Sequence, residues 1–142
     1  MSAALANKVR RLADANLTKT KALPAAAASN ATNSIDLGQT TLGPSADAIE
    51  VLIEIEATPA LVDAKTIILT LKDSADDSTF AAIPAVGVVT QTGASSAGAA
   101  AASLRVKLPP TTRRYIRLDA AVLTAGGDNT AKSYTLKVLA NP

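Results

Sequence analysis

The stretch IEVLIEIE (Ile49–Glu56) decides the fold class. Ile49, Val51, Ile53 and Ile55 alternate with Glu50, Leu52, Glu54 and Glu56. A period of two places branched apolar side chains on one face of an extended chain and mostly carboxylates on the other, which is a strand half buried and half solvated. The same period recurs outward from it. Ile67, Leu69 and Leu71 alternate with Thr66, Ile68 and Thr70, and this strand runs into the turn-forming DSADDS (Asp73–Ser78). Leu104, Val106 and Leu108 alternate with Arg105 and Lys107 until Pro109-Pro110 stops the run. Ile116, Leu118 and Ala120 follow, and then Tyr134, Leu136 and Val138.

Between these strands the residues are small, polar or chain-breaking. The region from Phe80 to Gln91 is interrupted at Pro84 and Gly87, which suits an edge strand or a bulge rather than a central strand. GASSAGAAAAS, residues 93–103, reads as a flexible loop or a briefly helical alanine run. Gly126-Gly127 and Asp128-Asn129 suit a hairpin. About seven short strands with turn signals between them predict an all-β protein, an antiparallel jelly-roll or Greek-key β-sandwich.

The period of two begins at Ile35. Before it, residues 1–34 are expected to form an extended N-terminal arm, and residues 35–142 the sandwich. Leu5, Val9 and Leu12 recur at helical spacing with Lys8, Arg10 and Arg11 between them, so Ala3 to Ala15 is expected to form a short amphipathic helix. It would dock on a partner rather than on lipid, because only three large apolar residues line its stripe. Lys19 and Lys21 continue the basic character of the arm. No apolar stretch long enough for a signal peptide or membrane span follows, so the product is expected to be soluble and made without a secretory signal. Deleting residues 1–30 is expected to leave the body folded.

Composition narrows the function. The 142 residues include no His, no Cys and no Trp, and only three aromatic rings (Phe80, Tyr115, Tyr134), although 48% of them are apolar. Without His, acid–base work near neutrality would fall on carboxylates, Lys or Tyr with displaced pKa values. Cys nucleophiles, His-directed Ser nucleophiles and N/S-ligand zinc sites are excluded. The net charge of +2 is unevenly spread: residues 1–23 carry +4, residues 36–77 carry −7, and residues 105–142 carry +5. Such segregation suggests complementary surfaces used for assembly or register.

Three clusters invite a chemical reading. Glu50, Glu54 and Glu56 fall on one side of a strand, with neighbours two apart separated by roughly 6.5–7 Å, a spacing a glycosidase pair could use. The plainer reading is a solvated face. Asp73, Asp76 and Asp77 offer oxygen ligands for Ca²⁺, but their spacing is not that of an EF-hand loop, and Asp and Ser are ordinary turn formers. Arg113, Arg114 and Arg117, with Arg105 and Lys107, could neutralise phosphates. The acidic first half of the body and the scarcity of stacking rings favour ion pairs between sheets or subunits instead. No catalytic residue, no cofactor, no membrane contact and no direct nucleic-acid contact is expected.

Three stretches together, TIILTLKDSADDSTFAAIP (66–84), LPPTTRRYIRLDA (108–120) and GGDNTAKSYTLKVL (126–139), resemble the capsid cement, or decoration, proteins of tailed bacteriophages. The likeness is to the podophage type, which pairs a jelly-roll body with an extended N-terminal segment. It spans about residues 35 to 140, carried mainly by the Asp73–Phe80 turn and the Arg114–Leu118 strand. The resemblance implies a homodimer without an active site, made in the host cytoplasm and bound on the outer surface of the virion capsid. There it would stabilise contacts between subunits of the major capsid protein. The partner contacts would fall on Leu5, Lys8, Val9, Arg10, Arg11, Leu12, Lys19, Lys21, Arg113, Arg114 and Arg117. The alternative is a carbohydrate- or ligand-binding β-sandwich of a phage fibre or secreted protein, for which Tyr115 and Tyr134 are the candidate aromatics.

Overall fold

The computed structural model describes residues 17–41, 43, 49–84, 86 and 88–140. They form ten strands: β1 (Thr18–Ala22), β2 (Ser29–Ala31), β3 (Ile35–Thr41), β4 (Ile49–Ile55), β5 (Thr66–Ser74), β6 (Ala81–Ala82), β7 (Val88–Thr92), β8 (Ala102–Lys107), β9 (Arg113–Val122) and β10 (Ser133–Ala140). The four-stranded sheet has the order β1-β10-β4-β8. The six-stranded sheet has the order β2-β9-β5-β6, with β3 also on β9 and β7 also on β5. Every strand pairing is antiparallel.

β2 and β3 share one edge of the larger sheet, and β6 and β7 share the other. Taken as one position each, they reduce the order to eight. The first position then pairs with the last (β1–β10), the second with the seventh (β2/β3–β9), the third with the sixth (β4–β8) and the fourth with the fifth (β5–β6/β7). That is one long antiparallel hairpin wound into two sheets, a jelly roll.

The core is the sum of the alternations. Val51, Ile53 and Ile55 of β4 and Tyr134, Leu136 and Val138 of β10 face Ile67, Leu69 and Leu71 of β5 and Ile116, Leu118, Ala120 and Val122 of β9, all buried. Burying each large side chain contributes about 1.5–3 kcal/mol. β5 and β9 pair over eight registered residues, Ile67↔Val122 to Ser74↔Tyr115, and form the centre of the larger sheet. Phe80 to Gln91 contributes only the edge pieces β6 and β7, as its Pro and Gly lead one to expect.

Three expectations are corrected. First, residues 17–34 are not an arm. Thr18–Ala22 pairs with β10 in the register Thr18↔Lys137 to Ala22↔Ser133, and Ser29–Ala31 pairs with β9. Leu23 between them is buried in the core. These are short, polar edge strands held by backbone hydrogen bonds along one side, so they carry no apolar alternation. The sandwich therefore begins at Thr18, and the helix expected over residues 3–15 lies outside the described residues. Second, residues 123–132 are not a hairpin. β9 and β10 lie in different sheets and each already has two neighbours, so this loop crosses the sandwich. Third, residues 93–101 are neither helical nor loosely attached. Ala99 exchanges backbone hydrogen bonds with Thr58 (2.9 and 3.1 Å), and Ser96 N donates to Asp63 Oδ1 (2.9 Å). Gly98, at φ +71°, packs so closely on Thr58 that a Cβ there would overlap its carbonyl oxygen.

Candidate functional site

On the outer face of the smaller sheet, each glutamate of the alternating strand has a partner. Glu54 Oε1 lies 2.8 Å from Lys137 Nζ across the β4–β10 pair, and Glu50 Oε2 lies 3.7 Å from Arg105 Nε across the β4–β8 pair. Glu56, just past the strand end, accepts the backbone N–H of Ser133 at 2.6 Å. Glu54 and Glu56 border an open groove of about 600 Å³, together with Thr20, Ser103, Ser133 and Thr135. No aromatic ring lines it. The carboxylates are structural acceptors, and the groove lacks the platform on which a sugar ring would stack.

The acidic turn divides its residues between two tasks. Asp73 is buried and points back to β9. Its Oδ1 accepts from Arg113 Nη2 (2.8 Å) and Nε (3.1 Å), and its Oδ2 accepts from Arg113 N (2.9 Å). Asp76 anchors the turn, its Oδ1 accepting from Ser74 Oγ (2.8 Å), Ser78 N (3.0 Å) and Thr79 N (3.0 Å). Those donors, the Thr79 N–H foremost, hold the Asp76 carboxyl down at about 2. Asp77 sits exposed at φ +59°. The three acids thus do not converge, and among the described residues no three His, Cys, Asp or Glu side chains group as metal ligands.

The arginine cluster is likewise engaged within the chain. Arg113 holds Asp73, and Arg114 forms a two-pronged pair with Asp36 of β3 at 2.8 and 2.9 Å. The Arg114 hydrogen bonds, with the Gly38 N–H, bring Asp36 to about 2. Arg117 pairs with Asp119 at 2.8 Å, and Lys72 reaches the same carboxylate at 2.9 Å. Arg113–Asp73, Arg114–Asp36 and Lys72–Asp119 link neighbouring strands of one sheet, and Arg117–Asp119 lies within β9; none of these pairs joins opposite sheets. Lys19 and Lys21 occupy the edge strand β1, opposite Leu136 and Tyr134. Leu5, Lys8, Val9, Arg10, Arg11 and Leu12 lie outside the described residues.

Of the two tyrosines considered for ligand stacking, Tyr134 is fully buried, and its hydroxyl donates to Asn30 Oδ1 at 2.6 Å. Burial pushes its phenol well above the ordinary range. The Asn30 amide donates in turn to Ala22 O (2.9 Å), so one hydrogen-bond chain joins β10, β2 and the end of β1. Tyr134 is a core residue that ties the two sheets together, and it cannot stack on a ligand.

The outer face of the larger sheet holds features the sequence reading passed over. Arg117 lies over the Phe80 ring at 4.1 Å and Arg114 over the Tyr115 ring at 5.2 Å. Further along the same face, Ile68, Val88 and Leu123 are exposed. Ile68 could have been noticed, because Ile67-Ile68-Leu69 breaks an otherwise strict alternation with a large apolar residue on the outward side.

The Bbp16 family model matches residues 17–138, and the chain belongs to that family. No curated protein matches the sequence. Among solved structures, the chain is similar to the PBSX exported protein XepA, with 14% identity over 87% of this chain and 36% of that one, at a TM-score of 0.56. It is also similar to the infectious bursal disease virus VP2 subviral particle (15% identity, 87% of this chain, 30% of that one, TM-score 0.42). A third is a structure of pili formed by Bacillus endospore appendages (14% identity, 88% and 86%, TM-score 0.41). The chain spans about a third of the length of XepA, and the likeness to it is one of fold.

Proposed function

We propose that this member of the Bbp16 family is a structural virion protein that binds the outer surface of a phage capsid, as a homodimer, and stabilises contacts between major capsid protein subunits. The observation that carries the reading is how the chain's own polar groups are used. Glu50, Glu54, Glu56, Asp73 and Asp76 each accept a cation or an N–H from this chain, leaving a jelly-roll body that offers broad outer faces rather than a reactive cleft. A protein so built acts through area. Repeated over a symmetric shell, modest contacts to several subunits hold firmly, because each added contact forms at high effective concentration. The alternative of a carbohydrate-binding sandwich loses Tyr134 to the core and has no ring along the groove beside Glu54 and Glu56.

The test is cosedimentation of the purified protein with shells assembled from the major capsid protein of the phage that encodes it. Saturation at a fixed ratio to that protein, together with greater heat resistance of the decorated shells, is the expected result. Absence of saturable binding would overturn the proposal.

A further inference from the structure

We propose that the outer face of the six-stranded sheet is the docking face, and that its partner is a different protein presenting an apolar contact beside a carboxylate. This rests on the capsid reading above and assigns the face that serves it.

The two outer faces differ in kind. On the smaller sheet, Glu54 with Lys137 and Glu50 with Arg105 satisfy one another in water. The larger sheet carries three of the four exposed large apolar side chains among the described residues: Ile68 (38% exposed), Leu123 (47%) and Val88 (51%). They are neighbours. Ile68 stands opposite Ala121 and Thr90, Val88 opposite Thr70 one diagonal away, and Leu123 N donates to Thr66 O. Ala28, Ser29 and Ala121 are small, and they leave a depression of about 330 Å³ beside Ile68 and Leu123, room for a partner's side chain. A contiguous apolar patch of this kind marks an interaction site.

The other half of the face carries Phe80 under Arg117 and Tyr115 under Arg114, the two rings of the chain that are outside the core. Aromatic and Arg side chains are the residues enriched at binding hot spots. Between the halves lies an unbalanced charge. Lys72 and Arg117 stand directly opposite each other in the β5–β9 register, and among the described residues both pair with the one carboxylate of Asp119. Like charges in that position repel. Two half-buried cations sharing one carboxylate leave a place for a second carboxylate, which the partner supplies. A second copy of this chain stacked about a two-fold axis through this pair would bring cation against cation, so the partner proposed is a different protein.

The dimensions agree. Four strand positions and about nine residues span roughly 19 by 30 Å, on the order of 600 Å². That is comparable with the roughly 800 Å² each partner buries in a standard interface.

The experiment compares full-length wild type, Ile68→Asp, Lys72→Glu and, on the opposite face, Ser103→Asp, for binding to shells assembled from the major capsid protein alone. Lys72→Glu exchanges the repulsion with Arg117 for an attraction but gives up the pair with Asp119, so its melting temperature should change little while binding falls. Ile68→Asp and Lys72→Glu should each weaken binding by about tenfold or more, and Ser103→Asp should bind as wild type does. Undiminished binding by both larger-sheet variants while wild type binds would overturn this face and leave the capsid reading standing. Failure of wild type itself to bind would overturn both. A wild-type dimer in sedimentation that Ile68→Asp dissociates would overturn the choice of partner.

Discussion

Asp76 shows how much a single carboxylate can do in a turn of six residues. One oxygen receives a hydroxyl and two backbone N–H groups, so the charged form is favoured only while the turn is folded. The folded value of about 2 lies below the ordinary 3.8, and Asp36, clasped by Arg114, is lowered to the same level. A depressed carboxyl contributes stability that is complete above about pH 4 and is lost as the pH falls toward 2, because the unfolded chain then binds the proton more readily. Asp76→Asn keeps one acceptor oxygen but cannot titrate. Its melting temperature is expected to fall less than that of wild type between pH 4 and pH 2, the decline that remains coming from Asp36 and from Asp128, whose carboxyl the Thr130 hydroxyl also lowers; equal declines in calorimetric scans would show that Asp76 does not contribute. That DSADDS makes a turn is legible in the sequence. Which acid anchors it is not, because Asp73 is drawn away by Arg113, a residue forty positions later.

Strands announce themselves in the sequence to the extent that they bury one complete face. β4, β5, β8, β9 and β10 each alternate against the core, and their period of two is plain. β1, TKTKA, and β2, SNA, complete the sheet edges with backbone hydrogen bonds while none of their side chains is fully buried, so hydrophobic periodicity passes over them. Lys19 and Lys21 on such an edge discourage further strand addition, a use of charge that sequence alone reads as a basic arm. Connections hide their order for a related reason. The small residues of GASSAGAAAAS look permissive, yet Gly98 combines a left-handed backbone with contact against Thr58 that admits no side chain. Gly98→Ala is therefore expected to cost about 1–3 kcal/mol in urea unfolding. A change within a few tenths of a kcal/mol would mean the loop yields at little cost.

At the scale of the whole molecule, the segregated charge finds its explanation in the winding of the jelly roll. Four of the six ion pairs among the described residues join the acidic block to the basic block near the C-terminus: Arg113–Asp73, Arg114–Asp36, Arg105–Glu50 and Lys137–Glu54. Each crosses between strands that the winding sets side by side, so the blocks that suggested complementary surfaces between molecules fix register within one. The same winding changes what truncation can test. Removing residues 1–30 takes away β1, the buried Leu23 and Asn30, the acceptor of the Tyr134 hydroxyl. Loss of the Leu23 side chain alone costs about 2–5 kcal/mol, so this truncation is expected to lose its cooperative melt by circular dichroism. Removing residues 1–16 spares all ten strands from β1 to β10, and the cooperative melt is expected to remain. It is the truncation that isolates Leu5, Lys8, Val9, Arg10, Arg11 and Leu12. If these six anchor the protein to its shell, the 17–142 fragment should fold and yet bind more weakly than the full chain. Folding with undiminished binding would assign attachment to the sandwich alone.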